Sequence, residues 1–64
     1  MKRNYQVIET FAKDGKSFSH KQSYADLDDI KDFVPKSANC WKRNGYSYSA
    51  KVIYKPTKEI VWEF

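Results

Sequence analysis

The side chains of this sequence that could carry out chemistry are few and far apart. His20 is the single histidine and Cys40 the single cysteine. A Cys–His pair can supply a nucleophile and its base, but no spacing in the chain brings these two together. Glycine occurs only at Gly15 and Gly45, which excludes a glycine-rich phosphate-binding loop. We therefore assign no catalytic residue and no cofactor.

Metal binding is also disfavoured. Four aspartates lie close together, at Asp26, Asp28, Asp29 and Asp32. They do not follow the calcium-loop pattern, and a helix would spread them around its axis. One cysteine and one histidine fall short of the four ligands of a structural zinc. A chain of 64 residues also leaves little volume for a ligand pocket of roughly 300–1,000 Å³. We expect a protein without a metal that is not an enzyme.

A tryptophan followed by two cations is the segment best suited to binding a partner. Tryptophan and arginine are enriched at interface hot spots, and an aromatic ring beside basic residues can also stack on a base and bind phosphate. The predicted partner-binding residues here are Trp41, Lys42 and Arg43. The predicted nucleic-acid contacts are Lys36, Lys42, Arg43, Lys55 and Lys58. The alternative is that Trp41 packs on the core while its two neighbours are solvated.

Period-two alternation predicts that these residues are held by a sheet. Residues 3–11 and 16–22 alternate, and Asp14-Gly15 between them is a strong hairpin signal. Residues 46–54 and 58–64 alternate in the same way, with a turn over 55–58 in which proline occupies the second position.

The middle of the chain predicts a helix and then an irregular segment. Ser23 is suited to be an N-cap, and Leu27, Ile30 and Val34 then fall on one helix face. Pro35 disfavours helical geometry in the residue before it, so we expect a helix of about 24–34. Two interpretations compete for residues 35–45: a loop, or a short strand at 39–43 closed by an Asn44-Gly45 turn.

The predicted fold class is α+β. The elements run β-β-α-β-β, with a possible extra short strand at 39–43, and form a small antiparallel sheet with the helix on one face. A chain of 64 residues has material for one core, so residues 1–64 are expected to be a single compact domain.

The alternation also predicts what the open face of the sheet carries. It has no aromatic ring for base stacking, includes Glu59 and Glu63, and holds three aliphatic side chains that could dock a partner or a second copy: Ile8, Ile53 and Val61. The formal net charge of +4 conceals a division. Residues 22–34 carry Lys31 against four aspartates, a net of −3, and the remainder carries +7.

These features favour a small non-enzymatic binding protein that docks on a larger partner protein. Stand-alone domains of this size are common among phage and mobile-element products that modulate or inhibit host enzymes, an association with size only. The alternative is a basic nucleic-acid-binding domain that uses the Trp41-Lys42-Arg43 segment and neighbouring lysines. Self-association through a sheet face or edge is a third class. No apolar run approaches the roughly 20 residues of a membrane span, and residues 1–6 do not precede the apolar core of a signal peptide, so we expect a cytoplasmic protein.

Overall fold

The computed structural model describes residues 2–64, which form four strands and a helix. The elements are β1 Tyr5–Lys13, β2 Lys16–Tyr24, α1 Leu27–Arg43, β3 Ser47–Tyr54 and β4 Glu59–Glu63. All strand pairs are antiparallel, and the order across the sheet is β2-β1-β3-β4. The predicted α+β class and β-β-α-β-β order are confirmed.

The first hairpin forms as the sequence predicts. Lys13 pairs with Lys16, which leaves a two-residue turn. Both turn residues have positive φ, 54° at Asp14 and 78° at Gly15. This backbone geometry matches the right-handed twist of the flanking strands and explains the choice of Asp-Gly.

The helix begins later than predicted. Ser23 lies near the end of β2, and the N-cap is Asp26, whose carboxylate accepts a hydrogen bond from the backbone N–H of Asp28 at 2.9 Å. Ser23 is the expected N-cap only if Asp26 is counted as a negatively charged residue inside the first helical turn. Aspartate is itself among the preferred N-cap residues.

The prediction that the helix ends before Pro35 is wrong, because α1 continues through the proline to Arg43. A proline inside a helix costs about 3 kcal/mol relative to alanine. Here the helix continues because the row of sheet-facing residues continues: Ala38 is buried like Val34, and Trp41 packs against the core. The burial of Ala38 and Trp41 outweighs the loss of the backbone hydrogen bond that Pro35 cannot donate.

Neither interpretation of residues 39–43 is correct, since they form the last turns of α1. The Asn44-Gly45 pair ends this helix rather than joining two strands. The Gly45 N–H bonds to the Lys42 carbonyl and the Tyr46 N–H to the Trp41 carbonyl, both at 3.1 Å. With φ of +85° at Gly45, this is a Schellman ending. The ring centroids of Trp41 and Tyr46 lie 5.0 Å apart, which supplies the apolar contact typical of that motif.

The core lies between α1 and the sheet face that the alternation predicts. Its buried apolar residues are Val7, Phe11, Ile30, Val34, Ala38, Tyr48, Ala50 and Val52. Two assignments are wrong: Ile60 lies opposite Ile53, on the open face, and is 52% exposed, while Glu59 lies opposite Tyr54, on the helix side. Val52 pairs with Trp62 and Ile53 with Ile60, so β4 contains one extra residue, Val61, between the two pairs. A bulge of this kind reverses the alternation on one side of it.

Opposite charges are separated along the length of α1, and not between an acidic helix and a basic remainder of the chain. Within Leu27–Arg43 three aspartates stand against four basic residues, so the helix carries a net +1 and not the predicted −3. Asp28 and Asp29 lie in the first turn and Lys42 and Arg43 in the last, as the helix dipole favours. Among the described residues, no helix is long and apolar enough to cross a membrane.

Candidate functional site

A groove of about 520 Å³ opens between α1 and β2, and we call it the β2 groove. It exists because α1 packs mainly against β3, so the helix-facing side of the edge strand β2 is covered only at its ends. The expectation that the chain is too short for such a volume is therefore wrong, because the helix leaves the middle of the edge strand uncovered.

Aromatic pairs bridge β2 and α1 at the two ends of the β2 groove. At one end Phe18 meets Trp41, with ring centroids 6.3 Å apart. At the other end Tyr24 meets Phe33 at 5.1 Å. Between these contacts the groove is lined by smaller or exposed polar side chains. The result is an opening with apolar ends and a polar middle.

The floor of this opening is a buried carboxylate. The Glu9 side chain is 9% exposed and accepts a hydrogen bond through Oε2 from the Tyr48 hydroxyl at 2.7 Å. Its Oε1 lies 3.6 Å from Nδ1 of His20, whose side chain is 56% exposed. Within residues 2–64, no lysine or arginine forms an ion pair with Glu9. A carboxylate this deeply buried usually has such a partner.

The phenols around Glu9 are held in their neutral, donating form. Burial raises the pKa of the Tyr48 phenol, and the hydrogen bond to Glu9 raises it further. Burial also raises the pKa of Tyr24, with a smaller effect from the charge of Glu9. The Tyr24 hydroxyl donates to the side-chain oxygen of Gln22, on the groove side of β2. Neither phenol therefore adds a negative charge beside Glu9.

The strand beside the groove has a long free edge. β2 is nine residues long, has no register shift against β1, and is exposed from Lys16 to Gln22. The opposite edge strand, β4, has five residues and a register shift. Proteins usually protect an edge by shortening it, bulging it or adding proline. β4 shows two of these devices, while β2 has only its lysines.

The predicted anchor Trp41 is half-buried on the core side of the sheet. Its ring lies 4.3 Å from that of Phe11 and 5.0 Å from that of Tyr46. The ring packs on the core, as one of the two interpretations predicts, and it also lines the β2 groove.

The predicted basic residues do not form one surface. Lys42 and Arg43 lie at the C-terminal end of α1, where Lys13 reaches the Asn44 carbonyl at 2.8 Å. Lys55 bonds to Ser23 at 2.6 Å and lies with Lys58 at the opposite end of the sheet. These two ends are the ends of β1, about 26 Å apart for eight steps of strand rise. Lys36 lies between them and pairs with Asp32 at 3.4 Å.

The predicted open-face aliphatic residues lie together on the sheet. Ile8 and Ile53 are half-buried, and Val61 is 42% exposed. The register shift adds Ile60 to this group beside Ile53. The set is thus larger by one residue than the sequence predicts.

Sequence reasoning missed the residues that form the β2 groove. Glu9 shows the one usable signal: its alternation places it inward, between Val7 and Phe11. His20 suggests a catalytic partner for Cys40 or a zinc ligand from the sequence, whereas its neighbour across the hairpin is Glu9. Phe33 and Trp41 could not be placed on one wall without a helix long enough to contain both.

The chain matches no protein-family model, and no curated protein or solved structure is significantly similar to it. Within residues 2–64, no cluster of three or more side chains is arranged to hold a metal ion.

Proposed function

We propose that this is a non-enzymatic binding module that docks on a larger partner protein through the β2 edge and the β2 groove. One observation carries the proposal: a long strand edge without a bulge or a proline lies directly beside an open groove of about 520 Å³. A partner segment can add to such an edge as a further strand while its alternate side chains enter the groove.

Several features support this mode of binding. Backbone hydrogen bonds along the edge give affinity, and the groove gives specificity. Phe18, at 48% exposed, is a large apolar side chain at the mouth of the groove. The exposed thiol of Cys40 suits a reducing compartment, which supports a cytoplasmic location. A role as modulator or inhibitor of a partner enzyme is consistent with a protein that acts through its surface.

Phe18→Ser should abolish capture of the partner while leaving the fold intact. The side chain is 48% exposed, so its loss removes more binding surface than core. The measurement is affinity capture from nuclease-treated lysate, with captured proteins identified by mass spectrometry. Ile60→Ser is the matched control, since Ile60 is 52% exposed on the opposite sheet face. We expect the control to capture the same protein as the wild type.

Three outcomes would contradict this assignment. Capture that survives in Phe18→Ser but is lost in Ile60→Ser would place the interface on the open face, as would a dimer of this chain dissociated by Ile60→Ser. Capture that nuclease treatment removes would favour nucleic acid as the partner.

Nucleic-acid binding is the second candidate, and a separate observation favours it. Lys13 Nζ lies 5.0 Å from the centroid of the Tyr46 ring, and Lys42 Nζ lies 5.8 Å from that of Phe64. Arg43 follows Lys42 in the last turn of α1. Basic groups beside aromatic rings suit a single strand. The Lys42→Ala/Arg43→Ala double variant should then flatten the salt dependence of binding. Lys55→Ala/Lys58→Ala, at the opposite end, is the matched control.

A further inference from the structure

We infer that the β2 groove is a site for one basic side chain, arginine or lysine, carried by the partner segment that adds to β2. This inference rests on the proposed function and names the chemistry of its partner. It starts from Glu9, a carboxylate at the bottom of an open groove whose own side chain is only 9% exposed.

The bonding of Glu9 leaves one side of the carboxylate available. Oε2 is occupied by the Tyr48 hydroxyl at 2.7 Å. Oε1 has His20 Nδ1 at 3.6 Å, beyond hydrogen-bond distance, and His20 is itself more than half exposed and free to move aside. A basic group from outside can therefore reach Oε1 through the middle of the groove. Such a bond would compensate the desolvated charge of Glu9.

The ends of the groove are suited to a cation as well. Phe18 and Trp41 close one end and Tyr24 and Phe33 the other. Phe18 lies only two residues along β2 from His20, the partner of Glu9 across the hairpin, so a guanidinium or ammonium group at Glu9 can also contact this aromatic end. Cation–π attraction is stronger when water is excluded. An aromatic end beside a carboxylate thus favours a cation with an apolar stem over a neutral polar group.

The distance from the edge selects a long side chain. Strands lie about 4.8 Å apart, so a strand added to β2 would lie about 10 Å from β1, which carries Glu9. Short side chains do not cross that distance. Arginine and lysine do, and their charge complements that of Glu9.

The test is selection of nonapeptides from a random displayed library on the wild-type protein, retaining those that Phe18→Ser does not bind. We expect a lysine or arginine at one fixed position, with apolar residues two positions away on either side. The dissociation constant of a selected peptide is then compared with that of its analogue in which citrulline replaces arginine, or norleucine replaces lysine. We expect the neutral analogue to bind about tenfold to a hundredfold more weakly.

Glu9→Gln tests the protein side of the same contact. The amide oxygen still accepts from Tyr48, so the fold should persist, while the charge is lost. In this variant the preference for the basic peptide should fall below about twofold. Glu63→Gln, which changes an exposed glutamate of β4, is the matched control and should keep the full preference.

The outcomes separate the two proposals. Selected peptides without a basic residue, or a neutral analogue that binds as tightly to the wild type, would overturn the cation site and leave docking at the groove in place. A library that yields no peptide sensitive to Phe18→Ser would contradict the proposed function and the cation site together. The analogue comparison uses the unchanged protein, so it decides the matter even where Glu9→Gln fails to fold.

Discussion

Trp41→Ala is expected to lower the free energy of unfolding by about 3 kcal/mol, near the low end for truncation of a large aromatic residue because the ring is half-buried. The ring joins α1 to the sheet through Phe11 at 4.3 Å and to the helix ending through Tyr46 at 5.0 Å. Its loss leaves a cavity beside Phe11 and removes the apolar contact of the Schellman ending. Urea unfolding monitored by circular dichroism measures the change.

Phe64→Ala is the matched control for this prediction. Phe64 is 44% exposed and also makes aromatic contacts, with Trp62 at 6.1 Å and Tyr48 at 6.2 Å. Because it lies outside the helix–sheet core, its truncation should cost about 1 kcal/mol. If Trp41→Ala keeps wild-type stability and loses only partner capture, the ring is an interface anchor and its packing on the core contributes little to the free energy of unfolding.

Ser19→Pro is expected to weaken partner binding by about fivefold to thirtyfold while the fold persists. Lys13 and Lys16 close the two-residue turn as a hydrogen-bonded pair, and such pairs recur at every second residue of an antiparallel ladder. Even-numbered residues of β2 therefore bond to β1, and odd-numbered residues such as Ser19 turn their N–H outward. Proline there removes a donor that only an added strand would use. Losing one or two such bonds, at roughly 1 kcal/mol each, gives about fivefold to thirtyfold.

His20→Pro provides the positional contrast. Its N–H points to β1 in the same ladder, so proline at this position should break the hairpin and lower stability by about 3 kcal/mol. Thermal unfolding and the dissociation constant for the captured partner are measured on both variants. Equal binding by Ser19→Pro and the wild type would show that the partner does not add to this edge.

Local patterns were enough to predict the four strands and the first hairpin. Period-two alternation with an Asp-Gly turn determines strand, face and register within one hairpin, and each of these is confirmed around Gly15. The bulge that turns Ile60 to the open face could not be predicted. Ile60 and Trp62 are two residues apart and so match a regular strand, and nothing in the sequence marks Val61 as an inserted residue.

The helix shows why the candidate site could not be predicted. Local geometry at Pro35 favours an ending, but burial of Ala38 and Trp41 against the sheet favours continuation, and the second effect depends on tertiary contacts. Once the helix was assumed to end at residue 34, Trp41 could only be placed in a loop or short strand. Without the second half of α1 the sequence offers no helix opposite β2, so neither the groove nor a role for Glu9 at its floor can be predicted.

The most direct test of docking at the β2 edge is amide hydrogen exchange of the free protein and of its complex with the captured partner. Binding by strand addition predicts that exchange slows at Ser17, Ser19 and Lys21, whose N–H groups face the free edge, while the amides of β4 are unchanged. Unchanged exchange along β2, with slowing confined to β4 or to the open-face residues around Ile53, would contradict it.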